Sequence, residues 1–113
     1  MPTDAEWIVL TNYLDGESAG GKMKTTGTIE AATGLWGTPN GDATNSSGFS
    51  GAPGGGRYVF GEYGDVGSLG YWWSSSEDGT DDAWYRYLDK GSGGANRYFN
   101  FKQTGFSVRC LRD

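Results

Sequence analysis

The residues best suited to specific contacts alternate along two neighbouring segments in the second half of the chain. They are Tyr85, Tyr87 and Asp89 in the first segment and Asn96, Tyr98 and Asn100 in the second. Tyrosine offers a large, rigid contact surface at low entropic cost, and asparagine offers adaptable hydrogen bonds. We call this set the Tyr/Asn face and predict that it binds a ligand. The same pattern also fits an ordinary polar sheet surface, or burial of Tyr85 and Tyr87 under a long loop.

A second group of side chains has the chemistry of a calcium site. It comprises the carboxylates of Glu77, Asp78, Asp81 and Asp82, with those of Glu62 and Asp65 nearby in sequence. Calcium requires about 6–8 converging oxygen ligands, usually from a loop with defined spacing. No such spacing is present, so we interpret the cluster as a solvated acidic turn. Neither a metal nor another cofactor is predicted.

The composition lacks several of the side chains that catalytic sites commonly use. The chain has no His and one Cys, which excludes Ser-His and Cys-His nucleophiles and imidazole metal sites. A glycosidase needs two carboxylates held about 5–9.5 Å apart across a cleft, and nothing in the sequence specifies such a pair. We therefore predict that the protein is not an enzyme.

The charge and length limit the partners and the size of the fold. The 113 residues carry 9 Lys+Arg and 14 Asp+Glu, a net charge of −5, which argues against nucleic acid as a partner. No apolar run approaches the roughly 20 residues of a membrane span, so membrane insertion is not expected. The length predicts one domain, residues 1–113. Its 21 Gly, 5 Trp, 7 Tyr and 5 Phe predict a loop-dominated domain with an aromatic core.

One helix is legible at the start of the chain. Thr3 and Glu6 have the spacing of a capping box, and the helix is expected to end at Asp15-Gly16. The apolar stripe of this helix consists of Trp7, Leu10 and Leu14. A second, weaker segment covers residues 20–28. Residues 34–56 are predicted to form a long Gly-rich loop, pinned to the body by Trp36, Phe49 and Pro53.

The second half of the chain is predicted to be antiparallel β-structure. The expected strands are residues 57–60, 71–74, 83–88, 95–102 and 106–111, with a hairpin turn at 89–94. Period-2 alternation places Trp84, Arg86 and Leu88 on the face opposite Tyr85 and Tyr87.

The same alternation assigns several further side chains. Trp72 and Trp73 point to opposite faces, so one ring is expected in the core. Arg86 and Arg109 are expected to clamp loop carbonyls or a carboxylate such as Glu77. Cys110 is expected to be a buried free thiol on an apolar face.

Several ordered blocks carry a family resemblance over nearly the whole chain. They include Pro2-Thr3-Asp4-Ala5-Glu6-Trp7, Ala19-Gly20-Gly21-Lys22-Met23-Lys24, Gly70-Tyr71-Trp72-Trp73-Ser74-Ser75-Ser76-Glu77, Ala83-Trp84-Tyr85-Arg86-Tyr87-Leu88 and Gly105-Phe106-Ser107-Val108-Arg109-Cys110-Leu111. The chain resembles the Fibrobacter succinogenes major paralogous domain. This resemblance implies an α+β fold of the C-type-lectin-like branch, with an N-terminal helix, a long Gly-rich loop region and a small antiparallel sheet ending in a C-terminal hairpin and strand.

The resemblance also implies a biological setting. Members are typical of secreted or surface proteins of Bacteroidetes and Fibrobacteres, and similar domains end phage and bacterial proteins diversified by retroelements. The sugar-binding motifs Glu-Pro-Asn and Trp-Asn-Asp of calcium-dependent lectins are missing here, since Thr38-Pro39-Asn40 lacks the carboxylate. Family members usually begin a few residues earlier with a Cys-x-x-Gly-Trp-type segment, so in a trimmed chain Cys110 would have lost a disulfide partner.

Together these observations predict a non-catalytic recognition module. It would lie outside the cell, on a cell surface or on a phage particle, and bind a glycan or protein receptor through the Tyr/Asn face and the Gly-rich loops. The alternative is a structural or assembly domain of a larger surface or virion protein with no soluble ligand, forming an oligomer in its full-length context.

Overall fold

The fold begins with the predicted capped helix. The computed structural model describes residues 1–112. The Glu6 backbone N–H donates to Thr3 Oγ1 over 3.1 Å, and the Thr3 N–H donates to Glu6 Oε1 over 2.9 Å, which confirms the capping box. The helix ends at Tyr13, and Asp15 then adopts the left-handed region with φ of 70°.

The elements follow the predicted order of helices first and sheet second. They are α1 (Asp4–Tyr13), a 3₁₀ turn (Gly16–Ser18), α2 (Ala19–Met23), β1 (Gly56–Arg57), β2 (Tyr63–Gly64), β3 (Leu69–Glu77), β4 (Asp82–Asp89) and β5 (Ala95–Phe101). β1 and β2 form a small antiparallel ribbon, and β3, β4 and β5 form an antiparallel sheet in that order. The α+β class is therefore confirmed.

The core lies between one face of the three-stranded sheet, the helices and the long loop. Its buried residues are Trp7, Leu14, Ala19, Met23, Trp36, Trp72 and Leu88. Phe49 packs edge-on against Trp7 and Trp72, with ring centroids 5.9 and 5.5 Å apart, and Trp36 is fully buried. Pro53 is buried as well. These contacts confirm the three predicted anchors of the long loop.

Two predicted strands are shorter than expected or missing. The strand at 57–60 is limited to β1 because the Tyr58 N–H donates to the Glu62 carbonyl and turns the chain there. The prediction of a strand at 106–111 is wrong. Ser107 pairs with the edge of β3 beside Trp72, but the next donor along that edge, the Ser75 N–H, is bonded to the Pro2 carbonyl. With that edge already occupied, the C-terminal segment has no partner and continues without strand structure.

Two side-chain assignments are corrected by the structure, and a third is met with a different partner. Arg86 clamps a carboxylate, as expected, but that of Asp4, whereas Glu77 pairs with Lys102. Arg109 lies over the Phe49 ring, with Cζ 4.3 Å from the ring centroid. Cys110 is exposed, because the segment that carries it leaves the sheet after Ser107.

Two buried cations connect distant parts of the fold. Lys24 is fully buried, and its Nζ donates to the backbone carbonyls of Gly41, Asp89 and Ser92 over 2.7–2.9 Å. Arg86 in β4 is 2 % exposed and donates to Asp4 Oδ1 over 2.7 Å. The first contact joins α2 to the long loop and the β4–β5 turn, and the second joins α1 to the middle of the sheet.

Candidate binding face

The cross-strand register brings most of the Tyr/Asn face together. Tyr85 lies opposite Tyr98, Tyr87 opposite Asn96, and Ala83 opposite Asn100. Directly paired residues of antiparallel strands share a face, so these side chains lie on the side of the sheet away from the α1 core. The predicted co-location of the two strands is therefore present.

Asp89 ends β4 and supports the β4–β5 turn rather than an open contact surface. Its Oδ1 accepts a hydrogen bond from the Gly91 N–H over 2.7 Å, and its backbone carbonyl accepts from Lys24 Nζ. Both acceptors thus serve the turn that connects the two strands.

Tyr85 lies in the interior, contrary to its predicted role as contact surface. Only 6 % of it is exposed, because Tyr71 and Phe106 pack on it with ring centroids 5.6 and 4.7 Å away. The cover comes from β3 and the C-terminal segment, not from the long loop. Phe106 also stacks on Tyr71 at 4.4 Å, so the two rings form one lid over Tyr85.

A partly buried phenol network, which the sequence did not reveal, supports this lid. The Tyr58 hydroxyl donates to the Asp65 carboxylate and lies 3.2 Å from the Tyr71 hydroxyl. Burial raises the pKa of Tyr71, and the hydrogen bond with Tyr58 raises it further. Burial also raises the pKa of Tyr85 to about 12. Both phenols therefore stay neutral well into the alkaline range.

These pKa shifts predict an alkaline limit of stability. Below pH 10, the ordinary phenol pKa, Tyr71 and Tyr85 are protonated in both folded and unfolded chains, so their stabilisation is complete. As the pH rises from 10 through the folded pKa of about 12 for Tyr85, the unfolded phenols ionise first and stability is lost. The ultraviolet absorbance of phenolate should accordingly show a late step. In Tyr85→Phe that step should shrink by one phenolate, whereas a single step for all seven tyrosines of the wild type would contradict the burial.

The accessible part of the Tyr/Asn face is centred on Tyr98. Tyr98 is 56 % exposed, and its ring lies 4.8 Å from that of Phe99. Asn96 and Asn100 flank it along β5 and are half-buried. Asn100 Oδ1 accepts from the Phe101 N–H over 2.8 Å, which leaves its amide NH₂ group available as a donor. Tyr87 is half-buried beside them.

A second exposed aromatic group lies at the β1–β2 ribbon. Phe60 is 93 % exposed and Tyr63 is 80 % exposed. The sequence did not single them out: Phe60 falls in the strand expected at 57–60, and no role is predicted for Tyr63. The sequence feature that could have indicated them is Phe60-Gly61-Glu62-Tyr63, in which two aromatic residues flank a glycine. In the structure, Gly61 lies at the tip of the turn with φ of 87°.

The acidic residues from Glu77 to Asp82 connect β3 to β4 in a turn that is held by hydrogen bonds. Lys102 Nζ pairs with the Glu77 carboxylate and donates to the Thr80 carbonyl over 2.9 Å. The Asp78 N–H donates to the Asp82 carbonyl over 2.8 Å. Within residues 1–112, no group of three or more His, Cys, Asp or Glu side chains is arranged to hold a metal ion.

The helices are short in comparison with a bilayer. Among the described residues, none of them has both the length and the apolar character needed to cross a membrane.

Comparison with known proteins gives one match. The family model of the Fibrobacter succinogenes major domain matches residues 1–112. No curated protein and no solved structure matches the chain. The matched span contains the capped helix, the anchored long loop and the three-stranded sheet described above. The chain therefore belongs to the Fibrobacter succinogenes major domain family.

Proposed function

We propose that this domain is a non-catalytic recognition module of a C-type-lectin-like kind, which binds a glycan or protein receptor at a cell surface. The observation that carries the proposal is the exposed Tyr98 between Asn96 and Asn100 on one face of β5. An aromatic ring flanked by amide groups provides both contact area and directed hydrogen bonds. The proposed location is extracellular, on a bacterial surface or on a phage particle.

The opposite side of the sheet supports this role by holding the strands rigid. Trp72 and Leu88 are buried against the helices, and Arg86 ties β4 to α1. A contact surface on a rigid scaffold loses little conformational entropy when it binds. The Tyr/Asn face is thus preorganised.

The proposal predicts that Tyr98→Ala weakens binding at least about tenfold, because truncating a central interface tyrosine commonly costs about 2 kcal/mol. Fluorescently labelled domain on an array of microbial and mucin glycans measures this effect directly. Tyr13→Ala is the matched control, since Tyr13 is 84 % exposed at the end of α1 on the other side of the sheet. Equal loss in both variants would contradict the assignment to β5. An array without any signal from folded protein would contradict a glycan ligand and leave a protein receptor.

A second candidate function is that of a structural or assembly domain. It is favoured by the outer side of α1, where Val9 and Tyr13 are 69 % and 84 % exposed beside Leu111 at 55 %. Apolar surface of this kind is typical of contacts between domains or subunits. A strictly monomeric mass in concentrated solution of the full-length protein would contradict it.

A further inference from the structure

A groove separate from Tyr98 lies where the β1–β2 ribbon meets the C-terminal segment. Its volume is about 290 Å³, and it is lined by the backbone of residues 54–56 and 105 together with Arg57, Tyr63, Phe106 and Ser107. This size is at the lower end for ligand pockets, so the groove fits one small ring with its substituents.

Arg57 brings an unneutralised positive charge to this groove. The ion pairs within residues 1–112 involve Lys22, Arg86, Arg97 and Lys102, and none involves Arg57. Its backbone is nevertheless fixed, because the Arg57 N–H donates to the Gly105 carbonyl over 2.9 Å and the Gly105 N–H donates back over 2.7 Å. In a chain of net charge −5, a guanidinium on an anchored backbone, with no carboxylate partner among residues 1–112, is well suited to bind a carboxylate from outside.

Tyr63 adds an aromatic surface beside that charge. Its ring is 80 % exposed, and Arg57 Cζ lies 5.8 Å from the ring centroid. A pyranose has an apolar side made of C–H groups, which packs flat on an aromatic ring, while its hydroxyl groups point outward. Ser107 brings a hydroxyl group to the same groove. The glycines bring no side chains, so a ring can approach the backbone closely.

We infer that this groove binds a uronic acid, a pyranose ring that bears a carboxylate. The guanidinium of Arg57 binds the carboxylate and the Tyr63 ring stacks on the sugar. An acidic peptide would satisfy Arg57, but a uronic acid carries its carboxylate on the same rigid ring that offers a flat C–H surface to Tyr63, and the combination of the two groups therefore favours the sugar. This inference rests on the proposed recognition function and names a ligand class for a second part of the surface.

The test is calorimetric titration with trigalacturonate, trimannuronate and a hyaluronan tetrasaccharide, each compared with its methyl ester. The ester keeps the ring and removes the charge. At least one free acid is expected to bind, and its ester at least tenfold more weakly. Arg57→Gln should weaken binding of the acid about 10- to 100-fold, because the variant loses the charged hydrogen bonds between the guanidinium and the carboxylate.

Two further variants separate groove binding from changes of fold. Gly54→Val should block the groove while the domain stays folded. A Cβ at Gly54 meets only the Ser107 hydroxyl, at 3.8 Å, and its backbone is not in the left-handed region. Arg109→Gln is the matched control, because Arg109 also lies over an aromatic ring, that of Phe49, but outside this groove. It should leave the affinity unchanged.

The remaining outcomes each decide against the inference. Absence of binding by all three acids would overturn it, as would binding that Arg57→Gln leaves unchanged. Binding of a Glu-rich hexapeptide through Arg57, without any oligouronate binding, would assign the groove to a peptide instead. Oligouronate binding that is lost in Tyr98→Ala and kept in Arg57→Gln would reject the groove but retain the proposed recognition function.

Discussion

Replacing Lys24 with Met is expected to lower the free energy of unfolding by about 3 kcal/mol or more, since three carbonyls around this buried ammonium would each lose a hydrogen bond at about 1–3 kcal/mol. The methionine has nearly the length of lysine, so packing is largely kept and the loss reports on the ammonium group. Urea unfolding followed by tryptophan fluorescence measures the change. This is among the largest effects that a single substitution in this domain should produce.

The size of the effect follows from what Lys24 joins. Its Nζ bonds to Gly41 in the long loop, to Asp89 at the end of β4 and to Ser92 in the β4–β5 turn. Burial lowers the pKa of Lys24, while the carboxylates of Asp89 and Asp42 act against that shift. The Asp89 carbonyl also accepts from the Ser92 N–H over 3.4 Å, but within residues 1–112 Lys24 is the one donor to the Gly41 and Ser92 carbonyls, so in the variant these two lose their hydrogen bonds without compensation.

Lys22→Met is the control for this experiment. Lys22 lies in α2, which Lys24 directly follows, and its ammonium pairs with the exposed carboxylate of Asp15. Exposed pairs of this kind contribute little, so the free energy of unfolding should be nearly unchanged. If Lys24→Met were as stable as Lys22→Met, the three carbonyl contacts would contribute nothing to the free energy of unfolding.

The second large effect is expected for Asp4→Asn. Asp4 pairs with the buried Arg86 and also with Arg97, whose Nη2 lies 2.9 Å from Asp4 Oδ2. Removing the carboxylate leaves the Arg86 charge buried without compensation, which typically costs about 3–5 kcal/mol. The loss is again measured by urea unfolding, with Asp15→Asn as the matched change at an exposed pair.

A double variant shows whether the cost comes from the orphaned charge. Arg86→Met in the Asp4→Asn background removes the guanidinium as well, so the combined loss should be clearly smaller than the sum of the two single losses. Additive losses would contradict a direct contact between these residues.

The same pair predicts an acid limit of stability. Burial raises the pKa of Asp4, but hydrogen bonds from Arg97 and Arg86 outweigh it and hold this pKa below the ordinary value of 3.8. As the pH falls, the unfolded carboxyl takes up its proton first. The stabilisation is therefore complete above about pH 4 and is lost as the pH falls through the folded pKa. Asp4→Asn should show a weaker dependence on pH in this range.

Local patterns predicted the elements well where a residue's partner is close in sequence. The capping box of Thr3 and Glu6 and the hairpin of β4 and β5 depend on nearby residues, and both are present. The strand expected at 106–111 depended on a free edge of β3, and that edge is occupied by Pro2, more than 70 residues away in sequence. Distant segments compete for the same strand edge, and this competition leaves no pattern in the sequence of residues 106–111.

The candidate site shows the same division. Alternation placed Tyr85, Tyr87 and Tyr98 on one face correctly, because parity is a local property. It did not show that Phe106 would cover Tyr85, since that depends on where a segment some 20 residues away comes to rest. Likewise, nothing near Lys24 in sequence indicates three carbonyl acceptors, which come from the loop and the β4–β5 turn.

The occupied edge of β3 also bears on aggregation. Ser107 and Pro2 cover hydrogen-bonding positions along that edge, whereas no strand within residues 1–112 pairs with the outer edge of β5. An exposed edge strand is a template for pairing with another chain. Because only one edge is open, two molecules joined edge to edge through β5 would each present a closed edge outward. Strand-to-strand growth would stop at a pair, which protects a glycine-rich, aromatic-rich sheet from extending into fibrils.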